Sequence, residues 1–436
     1  MTKRLMLAAV AAAALTAFPA AAQDHSDHDA PAPTPTLAPD PMAGMDMPMD
    51  HGDHAMAPAG NASTGSGTSR LPGAEGGMHG LHLSTGDWMV MAHGSLLAAY
   101  TDQGGPRGAN GAYIGSMAML AAERSFAGGA KLSLHTMFSL DPVNGQRGYA
   151  NLFATGETAH GMPLVDRQHP HDLFMELSAR LDVPLGGGVT GFVYGGPVGE
   201  PALGPSAFVH RRSARYLPLS PIGHHWFDST HVTYGVVTGG IATGGVQLEA
   251  SAFRGREPDE RRWDLETPAL DSWSVRGTWS PTPNWTAQLS YGRIKAPEPQ
   301  HPGEDERRTT ASVHYARGGF SAMLGFAVKD RVPGETLTAW IAEANWDLTP
   351  HHSLFGRMEN VANDELFPDH ADPLHDRTFR ITRFEGGYAY RIALSDEAEL
   401  ALGGSLAAYA KPAALDMTYG RHPLSGTVFA RLSLGD

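Results

Sequence analysis

From Trp88 to its last residues, the chain consists of segments of about ten residues in which apolar and polar positions alternate, separated by Gly, Pro, Asn and Asp. The clearest segment is DLFMELSARLDV at 172–183, in which every second residue is apolar: Leu173, Met175, Leu177, Ala179, Leu181 and Val183. The residues between them are mostly charged. A repeat of two predicts β-strands that have one apolar and one polar surface.

The connections between these segments alternate in length. Tight turns are predicted at 126–130, 184–188, 242–245, 280–284, 317–319, 349–352 and 394–397. The intervening connections are mostly long, at 141–171, 198–229, 255–270, 296–306, 364–377 and 411–422. One rim of tight turns and one of long loops is typical of an outer-membrane barrel. We therefore predict an all-β fold over 88–436, a transmembrane antiparallel up-and-down β-barrel of about 16 strands. The tight turns would be periplasmic, and the long loops, notably 141–171 and 198–229, extracellular.

A soluble all-β protein is the competing interpretation. A propeller would repeat every ~40–50 residues, and no such repeat occurs. Segments of ten residues also suit a bilayer better than a sandwich, whose strands are shorter. Many aromatic residues lie near segment ends, as in the aromatic girdles of membrane barrels: Trp88, Trp273, Trp279, Trp285 and Trp346.

Residues 1–22 predict a signal peptide. Lys3 and Arg4 precede the short apolar stretch LMLAAVAAAALTAF, and alanines at 20–22 provide a cleavage site. A membrane anchor is the alternative, but this stretch is shorter than the ~20 residues of a spanning helix. Export is therefore expected, and the absence of cysteine excludes disulfides. The net charge of −14 argues against nucleic acid as a partner.

Residues 23–87 predict a disordered tail, because Pro, Ala, Ser and Gly dominate and no aromatic residue occurs. The stretch MAGMDMPMDHGDHAM at 42–56 nevertheless contains five methionines, and DHSDHD precedes it at 24–29. Thioether sulfur suits Cu(I), and imidazole suits Cu(II) and other divalent ions. The tail is thus predicted to bind copper, with imidazoles from His25, His28, His51 and His54. The alternative is a linker in which Met and His are incidental.

The MDMPMDHGDHAM stretch resembles the Met/His-rich N-terminal segment of copper-resistance outer-membrane proteins, in which such repeats precede a barrel. The resemblance covers the tail and the overall layout of the chain. It implies a role in copper tolerance across the outer membrane. The ligands it implies are Met42, Met45, Met47, Met49, His51, His54 and Met56.

Strand parity predicts a second group of soft donors inside the barrel. In the first segment Met89, Met91 and His93 share one face, and in the third His135 and Met137 do so. If the polar faces point to the lumen, these residues line one wall, which Met117 and Met119 would join. The alternative is that the methionines only pack between strands.

The two longest loops carry further candidates. Because they contain Pro, Leu, Phe and Trp, we expect them to fold inward and constrict the lumen. His169 and His171 in one loop, with His224 and His225 in the other, would then form a metal site. A structural network with Asp and Arg is the alternative. Three arginines would otherwise select anions or bind lipopolysaccharide phosphate: Arg211, Arg212 and Arg215.

The predicted function is therefore copper binding by an outer-membrane barrel that contributes to copper resistance, export or sequestration. Its expected partners are outer-membrane lipid, lipopolysaccharide and periplasmic copper-handling proteins. A porin-like passive channel with an incidental tail, and a closed scaffold that sequesters metal, are the alternatives. An enzyme is not predicted, since the chain contains no G-x-S-x-G motif.

Overall fold

The computed structural model describes residues 60–76 and 80–435. The strands in these residues are β1 (Ala62–Thr64), β2 (Arg70–Pro72), β3 (Leu81–Thr85), β4 (Trp88–Gln103), β5 (Asn110–Ser125), β6 (Lys131–Phe138), β7 (Tyr149–Ala150), β8 (Glu157–Ala159), β9 (Met162–Leu164), β10 (Arg167–Gln168), β11 (Phe174–Gly186), β12 (Val189–Gly199), β13 (Thr233–Thr243), β14 (Val246–Phe253), β15 (Ser272–Thr282), β16 (Trp285–Ile294), β17 (Asp305–Arg317), β18 (Phe320–Val332), β19 (Thr336–Asp347), β20 (His352–Asn363), β21 (Phe379–Ala393), β22 (Ala398–Ala410) and β23 (Leu424–Leu434).

Helical structure in the described residues is confined to single turns. The α-helical turns are α1 (His224–Phe227) and α2 (Asp416–Tyr419). The 3-10 turns are Gly73–Glu75, Asp141–Asn144, Phe208–His210, Arg212–Ala214, Ser229–His231 and Ala413–Leu415. None of the described helices is long and apolar enough to cross a bilayer.

Sixteen antiparallel strands, β4–β6 and β11–β23, close into one barrel, as predicted. Closure comes from pairing of β23 with β4, between Leu434 opposite Gly94 and Ser425 opposite Gln103. β3 continues this seam, because Leu81 pairs with Ala92 beyond the end of β23. The sheet therefore has no long free edge.

Alternation along each strand separates the two surfaces of the barrel wall. In β17, Glu306, Arg308 and Thr310 are buried towards the lumen, whereas Val313 on the other face is exposed. Large apolar side chains on the outside match a lipid-facing band. Those near the tight turns include exposed indoles, as an interfacial girdle requires: Trp279, Trp285 and Trp346.

The two rims differ as the sequence predicts. Tight turns join β5 to β6, β11 to β12, β13 to β14, β15 to β16, β17 to β18, β19 to β20 and β21 to β22. The two longest connections lie at the opposite rim and span 139–173 and 200–232, within two or three residues of the predicted limits 141–171 and 198–229. We call residues 200–232 the lumen loop.

The lumen is filled by these long connections, which confirms the expectation that they fold inward. The largest buried apolar cluster joins Phe153 of the 139–173 connection and Trp226 of the lumen loop to inward-facing residues of β19, including Ile341. A barrel wall that presents apolar side chains inward needs such a partner, because burying that surface stabilises the fold. The interior is thus packed as a core.

An ion pair and a hydrogen bond anchor the lumen loop to opposite sides of the wall. The Arg211 guanidinium donates to Glu343 on β19 at 2.6 Å and to Asp228 at 3.0 Å, and all three side chains are almost fully buried. On the opposite side, the Tyr113 hydroxyl on β5 donates to the Pro218 carbonyl at 2.7 Å. The loop therefore crosses the barrel.

The predicted disordered tail is folded in its last part. Residues 60–76 form a hairpin of β1 and β2 inside the barrel, which we call the hairpin plug. The Ala74 amide donates to the Pro283 carbonyl in a tight turn, so the plug enters from that rim. At its tip, the Thr68 hydroxyl accepts a hydrogen bond from Arg276 of β15. Polar contacts with the wall thus order a segment whose composition indicates disorder.

Removing the Arg211 anchor should loosen the lumen loop. Arg211→Ala leaves Glu343 and Asp228 buried without their cation, so we expect a loss of about 3–5 kcal/mol in unfolding free energy. We also expect single-channel conductance in planar bilayers to rise. Arg293→Ala removes an exposed partner of Asp305 and should change neither measurement. Equal effects of the two substitutions would contradict this role of Arg211.

Candidate functional site

Five methionines form a continuous patch on the lumen side of β4, β5, β6 and β11. We call it the methionine wall: Met91, Met117, Met119, Met137 and Met175. All five are buried, and Met119 pairs directly with Met137 across β5 and β6. Strand parity therefore placed Met91 and Met137 on the correct face. Met89 differs, because it lies at the tight-turn rim and is exposed.

Met175 reaches the lumen through an irregularity that the alternation pattern misses. The pattern places it on the apolar, outward face of β11. In the structure, Phe174 pairs with Phe138 and Glu176 with Met137, so Met175 is the extra residue of a β-bulge. Its side chain is fully buried and packs in the methionine wall. A one-residue bulge thus adds a fifth thioether.

Imidazoles border the methionine wall from two directions. His93 on β4 pairs with Met119, and its ring centroid lies 6.4 Å from that of His210 in the lumen loop. Met137, Met175, His210 and His231 line a cavity of about 10 Å³, together with Glu176. This volume is on the scale of a single water molecule or ion. Thioether and imidazole groups therefore converge on one small space.

Burial keeps two of these imidazoles neutral. Desolvation lowers the pKa of His210 to about 4, with the nearby His93 adding to the effect. Desolvation and the neighbouring His171 and His224 lower the pKa of His231 well below its usual value. Neutral imidazole is the form that ligates metal.

A larger cavity of about 330 Å³ lies between the hairpin plug and the methionine wall. Glu75 of the plug lines it, as do His93, Met117 and His210. Asp347 and Gly435, which lie at the ends of their strands near the tight-turn rim, also line it. The methionine wall is thus adjacent to space on the side where the plug enters.

The four loop histidines predicted as a metal site do come together. The ring centroids of His169 and His224 are 5.8 Å apart, and those of His169 and His225 are 6.1 Å apart. His171 lies 6.5 Å from His169. Two of them are held in the structural network given as the alternative: His171 contacts Asp141 and His224 contacts Asp228. His231, not predicted as a ligand, lies 5.1 Å from His171.

Acidic side chains surround the remaining two histidines. Glu157, His169 and His225 each offer one ligand atom, and these atoms all lie within 4.8 Å of one another. His225 forms a second such group with Glu257 and Glu298. These acids could not be ranked from the sequence, because they come from three separate loops. Only their position in long loops signals a common site.

The arginines predicted to select anions or to bind lipopolysaccharide lie inside the barrel and pair with carboxylates. Arg211 binds Glu343, and Arg212 contacts Asp347 at 3.1 Å. Arg215 contacts Glu399 at 3.2 Å. These carboxylates already partner the charges that lipopolysaccharide phosphate would need, and binding of that phosphate stays a prediction. The predicted tail ligands from His25 to Met56 lie outside the described residues.

Comparison with known proteins supports the fold alone. No family model and no curated protein matches the chain. OmpF of Salmonella typhi, solved as a complex with daunomycin, is similar in structure with a TM-score of 0.54 and 8% identity. The match covers 81% of this chain and 100% of the OmpF chain. OmpT of Vibrio cholerae matches with a TM-score of 0.50 and 10% identity, over 81% and 100% of the two chains.

Asp228 should give the lumen loop an acid-sensitive stability. Burial alone would raise its pKa, but the hydrogen bond from His224 and the charge of Arg211 outweigh burial and hold it below the usual 3.8. This stabilisation is present above pH 3.8 and is lost as the pH falls. Asp228→Asn should therefore lower the unfolding free energy at pH 7 by about 3 kcal/mol and flatten the acid side of its pH profile.

The measurement is urea unfolding of the detergent-purified protein across an acidic pH series. Asp87→Asn is the matched control, because Asp87 forms an exposed pair with Arg124. We expect the control to behave as the wild type. If the unfolding free energy of Asp228→Asn depended on pH as that of the wild type does, Asp228 would not be the source of the acid sensitivity.

Proposed function

We propose that this protein is an outer-membrane transport barrel of porin type whose interior is specialised for copper ions. The sixteen-strand closed wall and its apolar exterior support the membrane and porin part of the proposal. The outer face would contact lipid. Copper binding rests on the donor groups inside the barrel, and no catalytic step is part of the proposal.

The methionine wall is the observation that carries the copper assignment. Lumen-facing positions of membrane barrels are usually polar, so five buried thioethers on adjacent strands need a reason to face inward. Thioether sulfur prefers Cu(I), and neutral imidazoles such as those of His210 and His231 bind Cu(I) or Cu(II). The donor set in the small cavity at Met137 and Met175 therefore fits copper.

The position of the hairpin plug links the methionine wall to the N-terminal segment. The plug begins at the tight-turn rim, where the Asn61 side-chain amide donates to the Pro281 carbonyl. Residues 42–56, with their Met and His, precede it in the chain. We propose that this segment captures copper in the periplasm, from copper-handling proteins, and presents it to the cavity beside His93 and Met117.

A passive channel for small solutes is the second candidate, and the likeness to porin folds favours it. The packing of the lumen loop argues for a narrow or closed path instead, because the Arg211 and Tyr113 contacts hold it across the barrel. Single-channel recording separates the two functions. A large conductance that does not respond to copper would support the passive channel.

Replacing two thioethers should weaken copper binding without unfolding the barrel. Met117→Leu/Met137→Leu keeps volume and apolar character, so we expect a stability change below about 1.5 kcal/mol. The Kd for Cu(I) should rise by at least about tenfold, equal to 1.4 kcal/mol. The measurement is competition with a Cu(I) chelator, in a background lacking residues 24–56.

Met323→Leu is the matched control for this pair. Met323 is also buried, but it belongs to the apolar cluster at Trp226 and Phe227. We expect this substitution to leave Cu(I) affinity unchanged. Equal affinities in the wild type, the pair and the control would exclude the methionine wall as a copper site.

Deleting residues 24–56 should raise copper sensitivity of cells while leaving barrel assembly intact, because the deletion ends before the hairpin plug begins at Gly60. Growth on graded copper and heat-modifiable electrophoretic mobility measure the two effects. Replacing only the methionines of 42–56 by Leu should reproduce the sensitivity. Unchanged copper tolerance, with no copper bound by the isolated segment, would contradict the role of the tail.

A further inference from the structure

A second group of donors lies in the loop half of the lumen and differs in chemistry from the methionine wall. Glu157 begins β8, His169 lies just before β11, and His225 lies in α1 of the lumen loop. All three side chains are at least nine-tenths buried. One oxygen or nitrogen from each lies within 4.8 Å of the others, and Nε2 of His169 is 3.3 Å from Oε1 of Glu157.

The outer nitrogen of each imidazole is fixed by an oxygen acceptor. Nδ1 of His225 donates to Oε1 of Glu257 at 3.1 Å, and Nδ1 of His169 donates to the Pro170 carbonyl at 3.1 Å. With Nδ1 as the donor, the neutral form of each ring carries its lone pair on Nε2, which is the form that binds a metal ion. Metal-binding histidines commonly show the same pattern, in which a carboxylate or carbonyl holds the nitrogen that does not bind the ion.

Both Nε2 atoms are buried and accept no hydrogen bond from the described residues. An unsatisfied buried polar atom costs about 1–3 kcal/mol, so two of them in one place call for a ligand. Arg262 does not meet this need. Its guanidinium donates to Oε2 of Glu157 and to Asp172, and it leaves Oε1 directed towards His169.

Gly156 provides the space beside His225. Its φ of +108° is unfavourable for other residues, and a Cβ added there would lie 2.4 Å from Nε2 of His225. The same Cβ would lie 2.4 Å from Cδ2 and 2.6 Å from Cε1, over the face of the ring. Glycine thus lets the backbone pack against the His225 ring and helps to hold its orientation.

From this geometry we infer that Glu157, His169 and His225 bind a divalent transition-metal ion of borderline softness, best represented by Zn²⁺. Two imidazole nitrogens and one carboxylate oxygen are a common ligand set for zinc, with a fourth position for water or for a nearby carboxylate such as Glu257. The group contains no thioether, so it does not favour Cu(I). This site is separate from the methionine wall and does not depend on the proposed copper function.

The structure also selects among the histidines of the loops. Like His225, His171 and His224 each hold a carboxylate through Nδ1, so this contact does not distinguish them. The distances do, because neither belongs to the three-residue group. His171 is two residues from His169 and is similarly buried, so it provides a matched control.

The test uses the full-length, detergent-purified chain after chelator treatment. We expect Zn²⁺ to raise the melting temperature of the wild type and of His171→Gln. His169→Gln and Glu157→Gln should lose most of that rise and bind one Zn²⁺ fewer per chain by elemental analysis. Mg²⁺ should have no effect, because it prefers oxygen ligands. Equal Zn²⁺ stoichiometry and equal melting shifts in all four proteins would overturn the proposal.

A crystallographic measurement keeps the proposal testable if the variants do not fold. Wild-type crystals soaked in Zn²⁺ should show an anomalous peak between Glu157, His169 and His225. Its absence, with zinc bound elsewhere on the chain, would overturn the assignment. A Cu²⁺ soak that gives the same peak while Zn²⁺ does not would replace zinc by copper and also overturn it. Crystals of Met117→Leu/Met137→Leu should retain the zinc peak. Failure of the proposed copper function can therefore be told apart from failure of the zinc site.

Discussion

The interior of this barrel depends on the pairing of charges between the wall and the lumen loop. Alternation forces every second residue of a strand inward, and many of those residues are charged, as Glu343 on β19 shows. A closed barrel filled with protein cannot hydrate them. Arg211 supplies the opposite charge, and through Asp228 it also fixes the helical turn that carries His224 and His225. The positions of His224 and His225 therefore depend on an ion pair.

The same loop separates two sets of potential donor groups. On one side, His210 and His231 meet the thioethers of Met137 and Met175. On its other side, His225 meets Glu157 and Glu257. Thioethers thus occur at only one end of the buried imidazole cluster, where Glu176 also lies, whereas carboxylates alone accompany His225 at the other. Such an arrangement would sort ions by softness within a single lumen.

Much of the fold could be predicted from the sequence, because period-2 alternation and turn lengths are local properties. The inward direction of Met91, His93 and Met137 followed from the same parity. Met175 did not, since a β-bulge changes parity by one residue and leaves no clear mark in composition. Glu157 could not be ranked among many loop acids, because its partners come from distant parts of the chain.

The hairpin plug shows a different limit of sequence reasoning. Its Ser, Thr and Gly content indicates disorder, since little apolar surface is available for burial. Order comes instead from hydrogen bonds supplied by the wall. Gln247 donates to the Thr68 carbonyl at 2.7 Å, and Ser321 donates to Glu75 at 2.6 Å. Inferring disorder from composition considers a segment in isolation. It therefore does not account for polar partners that the rest of the protein supplies.

The tip of the plug and the lumen loop share hydrogen bonds. The Ser66 amide donates to the Ser206 hydroxyl, the Ala207 amide donates to the Ser66 hydroxyl, and Arg276 bridges Thr68 and Gly204. A force applied to the N-terminal segment would therefore be transmitted across the barrel. Movement of the plug tip would remove these hydrogen-bond partners from the lumen loop. Residues 60–76 are in this sense a mechanical link between the two mouths of the barrel.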